Sequence, residues 1–174
     1  MVIANMNYFA YGSNINLEHF SAYLADHGVD PNDVSNCRYA MLFDYRLRTN
    51  YFAATHRAGA CNIESARDET VEGVVMTITP AVRDALRVKE GWPACYTEVE
   101  LTVMINDAEV HAFTYVVNAS RRLDVDLPVA GYYRDYILSG AKRWGFSPAY
   151  RGHLQDLLKI APSRHYSRRN IVTR

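Results

Sequence analysis

The run Tyr8-Phe9-Ala10-Tyr11-Gly12-Ser13-Asn14 changes character halfway along. Its first four residues are apolar or aromatic, which suits a buried strand. Gly12, Ser13 and Asn14 then turn the chain and leave backbone N–H groups pointing outward. Asn16 follows as an N-cap, with Leu17, Phe20, Tyr23 and Leu24 on one face of a helix. A strand feeding a tight turn and then a helix is a ready site for an anion or a carbonyl oxygen. The same pattern also serves as a plain connection, so the rest of the chain decides between the two.

Working outward, 26–33 reads as a loop, and 38–48 as a strand with Tyr39, Met41, Phe43 and Tyr45 on one face. No clear period runs through 49–59. A short strand is predicted over 60–65, a polar turn over 66–70 and a β-branched strand over 71–79. Thr79-Pro80 starts a short helix over 81–88, which breaks at Lys89-Glu90-Gly91-Trp92-Pro93. Segments 96–105 and 109–118 read as a hairpin around Asn106-Asp107-Ala108. A helix is predicted over 129–144 with Gly145 closing it. Ser147-Pro148 caps a last helix running to about 160, with Leu154, Leu157 and Leu158 on its apolar side. Strands dominate the first two thirds and helices the last, an α+β pattern rather than a doubly wound sheet.

The 174 residues suit one domain, expected over 1–162, followed by a basic tail over 163–174. That tail carries Arg164, Arg168, Arg169 and Arg174; a phosphate-contacting arm and a solvated terminus are its two readings, the second the commoner. A formal net charge of zero argues against duplex nucleic acid as a partner. No apolar run reaches membrane-spanning length, and the N-terminus has no basic or long apolar segment. Three cysteines, Cys37, Cys61 and Cys95, lack Cys-x-x-Cys spacing, which fits a reducing compartment and a cytoplasmic location.

Among the carboxylates, Glu90 stands out. It sits where a short helix breaks, in front of Trp92-Pro93, where desolvation would raise its pKa toward the range of a general base. A helix-end glutamate facing water is the plain reading of the same position. Cys95 sits just before a strand, but His56, His111 and His153 are too scattered to pair with it or to form a zinc pattern. Phosphate-loop, dinucleotide and Gly-x-Ser-x-Gly motifs are absent from the sequence.

Taken together, these segments resemble the γ-glutamylcyclotransferase-like (AIG2-like) family. Tyr8 to Asn14 resembles its N-terminal signature, and Glu72-Gly73-Val74-Val75 its central strand. Lys89-Glu90-Gly91 followed by Tyr96 resembles the segment of the catalytic glutamate and a pocket tyrosine, and Tyr115 falls in the matching later strand. Tyr133 to Ala141, continuing through Gly145 to Tyr150, resembles the C-terminal helical segment of the branch acting on γ-glutamyl amino acids. The sequence departs from the family at Leu86-Arg87, where Leu-Asp is usual, and at Trp92-Pro93, which leaves the substrate open.

The resemblance implies a small mixed β-barrel flanked by helices and a cyclisation of γ-glutamyl groups to 5-oxoproline without metal or cofactor. It assigns Glu90 as general acid/base and Gly12, Ser13 and Asn14 as oxyanion donors. Tyr11, Tyr96, Tyr115 and Tyr133 would line the pocket. The implied partner is a small γ-glutamyl compound, with neither nucleic acid nor membrane. A binding-only member of the same fold is the alternative.

Overall fold

The computed structural model describes residues 5–160. Strands β1 (Met6–Ala10), β2 (Val34–Ala53), β3 (Ala58–Ile78), β4 (Tyr96–Ile105) and β5 (Ala108–Val117) close a barrel in the order β1-β3-β2-β4-β5. Pairing is antiparallel except where β1 meets β5 in parallel, Tyr8 opposite Phe113. Closure leaves no open sheet edge, which suits a small α+β domain. Helices α1 (Leu17–Asp26), α2 (Pro80–Glu90), α3 (Gly131–Arg143) and α4 (Pro148–Leu157) flank it. No described helix is long and apolar enough to cross a membrane. The basic tail expected from 163 lies outside the described residues.

β2 and β3 form one long hairpin, and here the sequence reading needs correction. The polar turn expected over 66–70 is strand, because β3 runs unbroken from Ala58 to Ile78. Its residues are polar because they face solvent, not because the chain reverses. An irregularity between Phe43 and Tyr45 marks the place, where Asp44 and Asp68 both adopt positive φ and Asp68 N–H donates to Asp44 Oδ1 at 3.0 Å. The true reversal follows Ala53.

β2 also outlasts its expected end at 48. Thr49, Asn50 and Asn62 are polar yet buried, which breaks the apolar alternation. Asn50 Nδ2 donates to Glu64 Oε1 at 2.7 Å, and Asn62 bridges Asn50 and the Val117 N–H. Each buried amide therefore has its partners. Ala40 and Leu42 supply the inward face there, and the Tyr39/Met41/Phe43 face points outward.

Helix boundaries shift by a turn or less. α2 runs on to Glu90, α3 starts at Gly131, and α4 ends at Leu157. Val129, expected in α3, instead forms parallel bridges with Gly59 and Ile160. Buried Glu72 docks α4 on the barrel: the Ser147 N–H donates to it at 2.8 Å and the Ser147 hydroxyl donates to its other oxygen. A carboxylate at a helix N-terminus is favoured by the helix dipole.

Candidate active site

α2 is the element that delivers Glu90. Thr79 caps it, accepting the Val82 N–H, with Pro80 in the first turn. Val82, Ala85 and Leu86 bury one face against the barrel, which fixes the helix along its length. Gly91 then ends it in the left-handed region at φ 63°, a conformation that glycine adopts without strain. Glu90 is thus the last helical residue, held at a defined place beside the barrel mouth.

The turn after β1 faces it. Ser13–Ile15 forms one 3₁₀ turn, with Ile15 N–H donating to Gly12 O. Such a turn leaves its leading N–H groups without internal acceptors. Asn14 is buried, and its Nδ2 donates to Tyr8 Oη at 3.0 Å and to Glu90 Oε1 at 3.4 Å. One side chain therefore ties the turn, β1 and α2 together.

Between them lies a cavity of about 520 Å³. All eight residues singled out from the sequence line it: Tyr11, Gly12, Ser13, Asn14, Glu90, Tyr96, Tyr115 and Tyr133. Their hydroxyls are engaged to different degrees. Tyr11 donates to the Tyr115 carbonyl, and Tyr96 to the Cys61 carbonyl at 3.0 Å. Tyr133 Oη accepts the Cys61 N–H at 3.0 Å and lies 3.3 Å from where a Cβ on Gly12 would stand. Tyr115 turns its hydroxyl outward to Glu98 at 2.8 Å, so it gives the cavity its ring.

Glu98 anchors the two sequence departures. Arg83 and Arg87 both hydrogen-bond its carboxylate, and the Arg87 guanidinium stacks 4.4 Å over the Trp92 ring. Arg87 and Trp92 therefore form one unit on the outside of the site. Desolvation raises the Glu98 pKa, but hydrogen bonds from Arg83, Arg87 and Tyr115 outweigh it and hold it at about 2.

Among the described residues Glu90 is the one carboxylate on the cavity wall. Burial raises its pKa, and the Lys89 charge and the Asn14 hydrogen bond pull it partly back. Burial pushes the Tyr11, Tyr96 and Tyr133 hydroxyls well above their ordinary range, so these groups stay protonated. Such a site can move a proton at Glu90, while Tyr11 and Tyr96 spend their own protons on the Tyr115 and Cys61 carbonyls. Among the described residues no group of three or more His, Cys, Asp or Glu is placed to hold a metal ion.

Sequence reasoning missed several wall residues: Tyr8, Tyr23, Tyr51, His56, Cys61, Lys89 and Cys95. Tyr8 belongs to the same run as Tyr11 and Asn14, and Asn14 Nδ2 donates to its hydroxyl at 3.0 Å. Tyr51 and His56 come from the β2 end and the turn after it, and Tyr23 from α1. Only the closed topology brings those segments together.

The family model for gamma-glutamyl cyclotransferase, AIG2-like proteins matches residues 8–135. No curated protein matches the chain. Among solved structures, one gamma-glutamyl cyclotransferase superposes with a TM-score of 0.75 at 21% identity, covering 97% of this chain and 95% of that one. The uncharacterized protein loc79017 from Homo sapiens gives 0.74 at 22% identity, with 89% of each chain covered. A gamma glutamyl cyclotransferase specific to glutathione, from yeast, gives 0.65 at 12% identity, covering 89% of this chain and 96% of that one. At these identities the superpositions speak for the fold. With the family model matching most of its length, the chain belongs to the gamma-glutamyl cyclotransferase, AIG2-like family.

Proposed function

We propose that this protein is a γ-glutamylcyclotransferase. It converts a γ-glutamyl compound to 5-oxoproline and releases the amine or amino acid. The single observation behind this reading is Glu90, one desolvated carboxylate facing the Gly12–Asn14 turn across a tyrosine-lined cavity.

In this reading the substrate's α-amine attacks its own γ-carbonyl carbon. A C–N bond forms in the five-membered ring, and the amide C–N bond to the leaving group breaks. Glu90 takes a proton from the attacking nitrogen and returns it to the departing one, so no net proton stays on the enzyme. Both reacting atoms belong to one molecule, and the cavity's main task is to hold it bent. Backbone N–H groups of Gly12, Ser13 and Asn14 meet the oxyanion, each well-placed donor worth about 3 kcal/mol. Tyr11, Tyr96, Tyr115 and Tyr133 enclose the glutamyl group and keep water out. The three free thiols, Cys37, Cys61 and Cys95, fit a reducing, cytoplasmic setting.

The test is a mass-spectrometric assay for 5-oxoproline over γ-glutamyl amino acids, γ-glutamylamines and glutathione. Product from at least one of them is the expected result. Binding without product from any member would make the protein a binding-only relative and end this reading.

A further inference from the structure

Lys89 has no place in the reaction just described, yet it lines the same cavity. Ion pairs among the described residues involve Arg46, Arg48, Arg67, Arg83 and Arg87; none includes Lys89. Its Nζ lies 3.4 Å from His19 Nε2 and 4.5 Å from the centre of the Tyr23 ring. His19 is held down to about 4 by burial, then by the Lys89 and His56 charges, so it stays neutral and accepts. An ammonium has three donors, and one goes to this imidazole.

Lys89 is also half-buried, and desolvation lowers its pKa against the pull of Glu90. A partly desolvated cation that forms no ion pair among the described residues is costly unless an anion arrives. The cavity's depth decides which anion. Its floor is the buried set Tyr8, Tyr11, Cys61, Tyr96 and Tyr133, while Lys89 shares its rim with Tyr23, exposed His27 and exposed Val88. A glutamyl group reacting beside Glu90 and the Gly12–Asn14 turn occupies the floor. Its leaving group then extends past the rim.

We infer that Lys89 is a specificity-determining residue that binds a carboxylate on the leaving amine. This rests on the cyclotransferase reading for the direction in which the substrate lies. Among the described residues the wall carries no carboxylate besides Glu90, so a cationic leaving amine finds no carboxylate at the rim.

The experiment compares γ-glutamylalanine, γ-glutamylmethylamide and the mono-γ-glutamyl derivative of ethylenediamine, whose leaving groups are anionic, neutral and cationic. Kd is measured by calorimetry on Glu90→Gln, which avoids turnover, and on Glu90→Gln/Lys89→Met. Turnover is measured on wild type, Lys89→Met and Lys89→Arg. The expected result is a loss of about 10- to 100-fold in affinity and in kcat/KM for γ-glutamylalanine alone. The other two change less than about twofold against each other, and Lys89→Arg recovers part of the loss. Because Lys89 also bears on Glu90 protonation, the ratio between substrates is the readout. An equal fall for all three overturns the inference, since Lys89 would then act through Glu90 or on the glutamyl group itself. Charge-selective binding lost in Lys89→Met but with no 5-oxoproline formed would uphold Lys89 and sink the cyclotransferase reading. Absence of binding for all three compounds would sink both.

Discussion

Two glycines in outer helices should respond to the same substitution with opposite signs. Gly140 in α3 packs on the turn that follows β1: a Cβ there would lie 2.5 Å from Ile15 Cγ1 and 3.1 Å from Asn16 N. Ordinary carbon contacts need about 3.5 Å or more, so something has to move by about 1 Å. Ile15 is fully buried and cannot swing aside, and Asn16 N is backbone. Alanine's helix propensity favours Gly140→Ala by about 1 kcal/mol, but overpacking costs about 1–3 kcal/mol. With backbone among the obstacles the upper end applies, leaving a net loss of about 2 kcal/mol. Gly152 in α4 is exposed and has nothing within 4 Å of its would-be Cβ, so Gly152→Ala keeps the propensity gain of about 1 kcal/mol.

For a chain of this size each kcal/mol moves Tm by about 2–4 °C. Thermal melting should therefore show Gly140→Ala falling by about 4–8 °C and Gly152→Ala rising by about 2–4 °C. Turnover adds a second readout. Ile15 sits directly after Ser13 and Asn14, so pushing it displaces the proposed oxyanion donors. A misplacement near 1 Å costs up to about 100-fold. A Gly140→Ala protein as stable and active as wild type would refute the claim that α3 positions the turn.

Other perturbations test other links. Tyr133→Phe strands the buried Cys61 N–H without its acceptor and should cost about 1–3 kcal/mol by urea titration, with no loss if water replaces the hydroxyl. Glu98 is held at about 2 against an ordinary 4.5, so its contribution to stability is present above pH 4.5 and is lost as pH falls toward 2. Glu98→Gln should flatten the stability profile across that window, and an unchanged slope would mean the arginines do not hold the carboxylate. Glu72→Ala removes the acceptor for the Ser147 N–H and hydroxyl, and should loosen α4, read as faster amide exchange in Pro148–Leu157 than elsewhere. Burial raises the Glu90 pKa and the Lys89 charge opposes it, so Lys89→Met should move the acid limb of kcat/KM to higher pH. A limb that stays put would place Lys89 too far away to matter.

Local chemistry made much of the site readable. Gly12-Ser13-Asn14 had to turn, and Gly91 and Pro93 had to stop α2, so the two facing pieces of the cavity are marked by residues with few alternatives. Their meeting is not local. It depends on β1 pairing with β3 and on α2 crossing back beside the barrel mouth, which the family resemblance supplied and periodicity did not.

Where the reading failed, polarity misled it. Residues 66–70 look like a turn because an exposed strand and an exposed turn draw on the same polar residues. Asn50 and Asn62 hide the end of β2 because their burial is satisfied by one another and by distant groups such as Val117. In the sequence Lys89 stands out only as the neighbour of Glu90. Its environment comes from α1, through His19 and Tyr23, some seventy positions earlier by the separation of His19 and Lys89.

The most direct measurement is the rate of 5-oxoproline formation by Glu90→Gln beside wild type, on the best substrate of the panel, with circular dichroism to confirm an intact barrel. Glutamine keeps the shape and the Asn14 contact but cannot carry a proton between the two nitrogens. The expected result is a loss of at least about 100-fold in kcat in a folded protein that still binds substrate. A folded Glu90→Gln that forms 5-oxoproline at near wild-type rate would contradict the assignment of Glu90, and with it the mechanism.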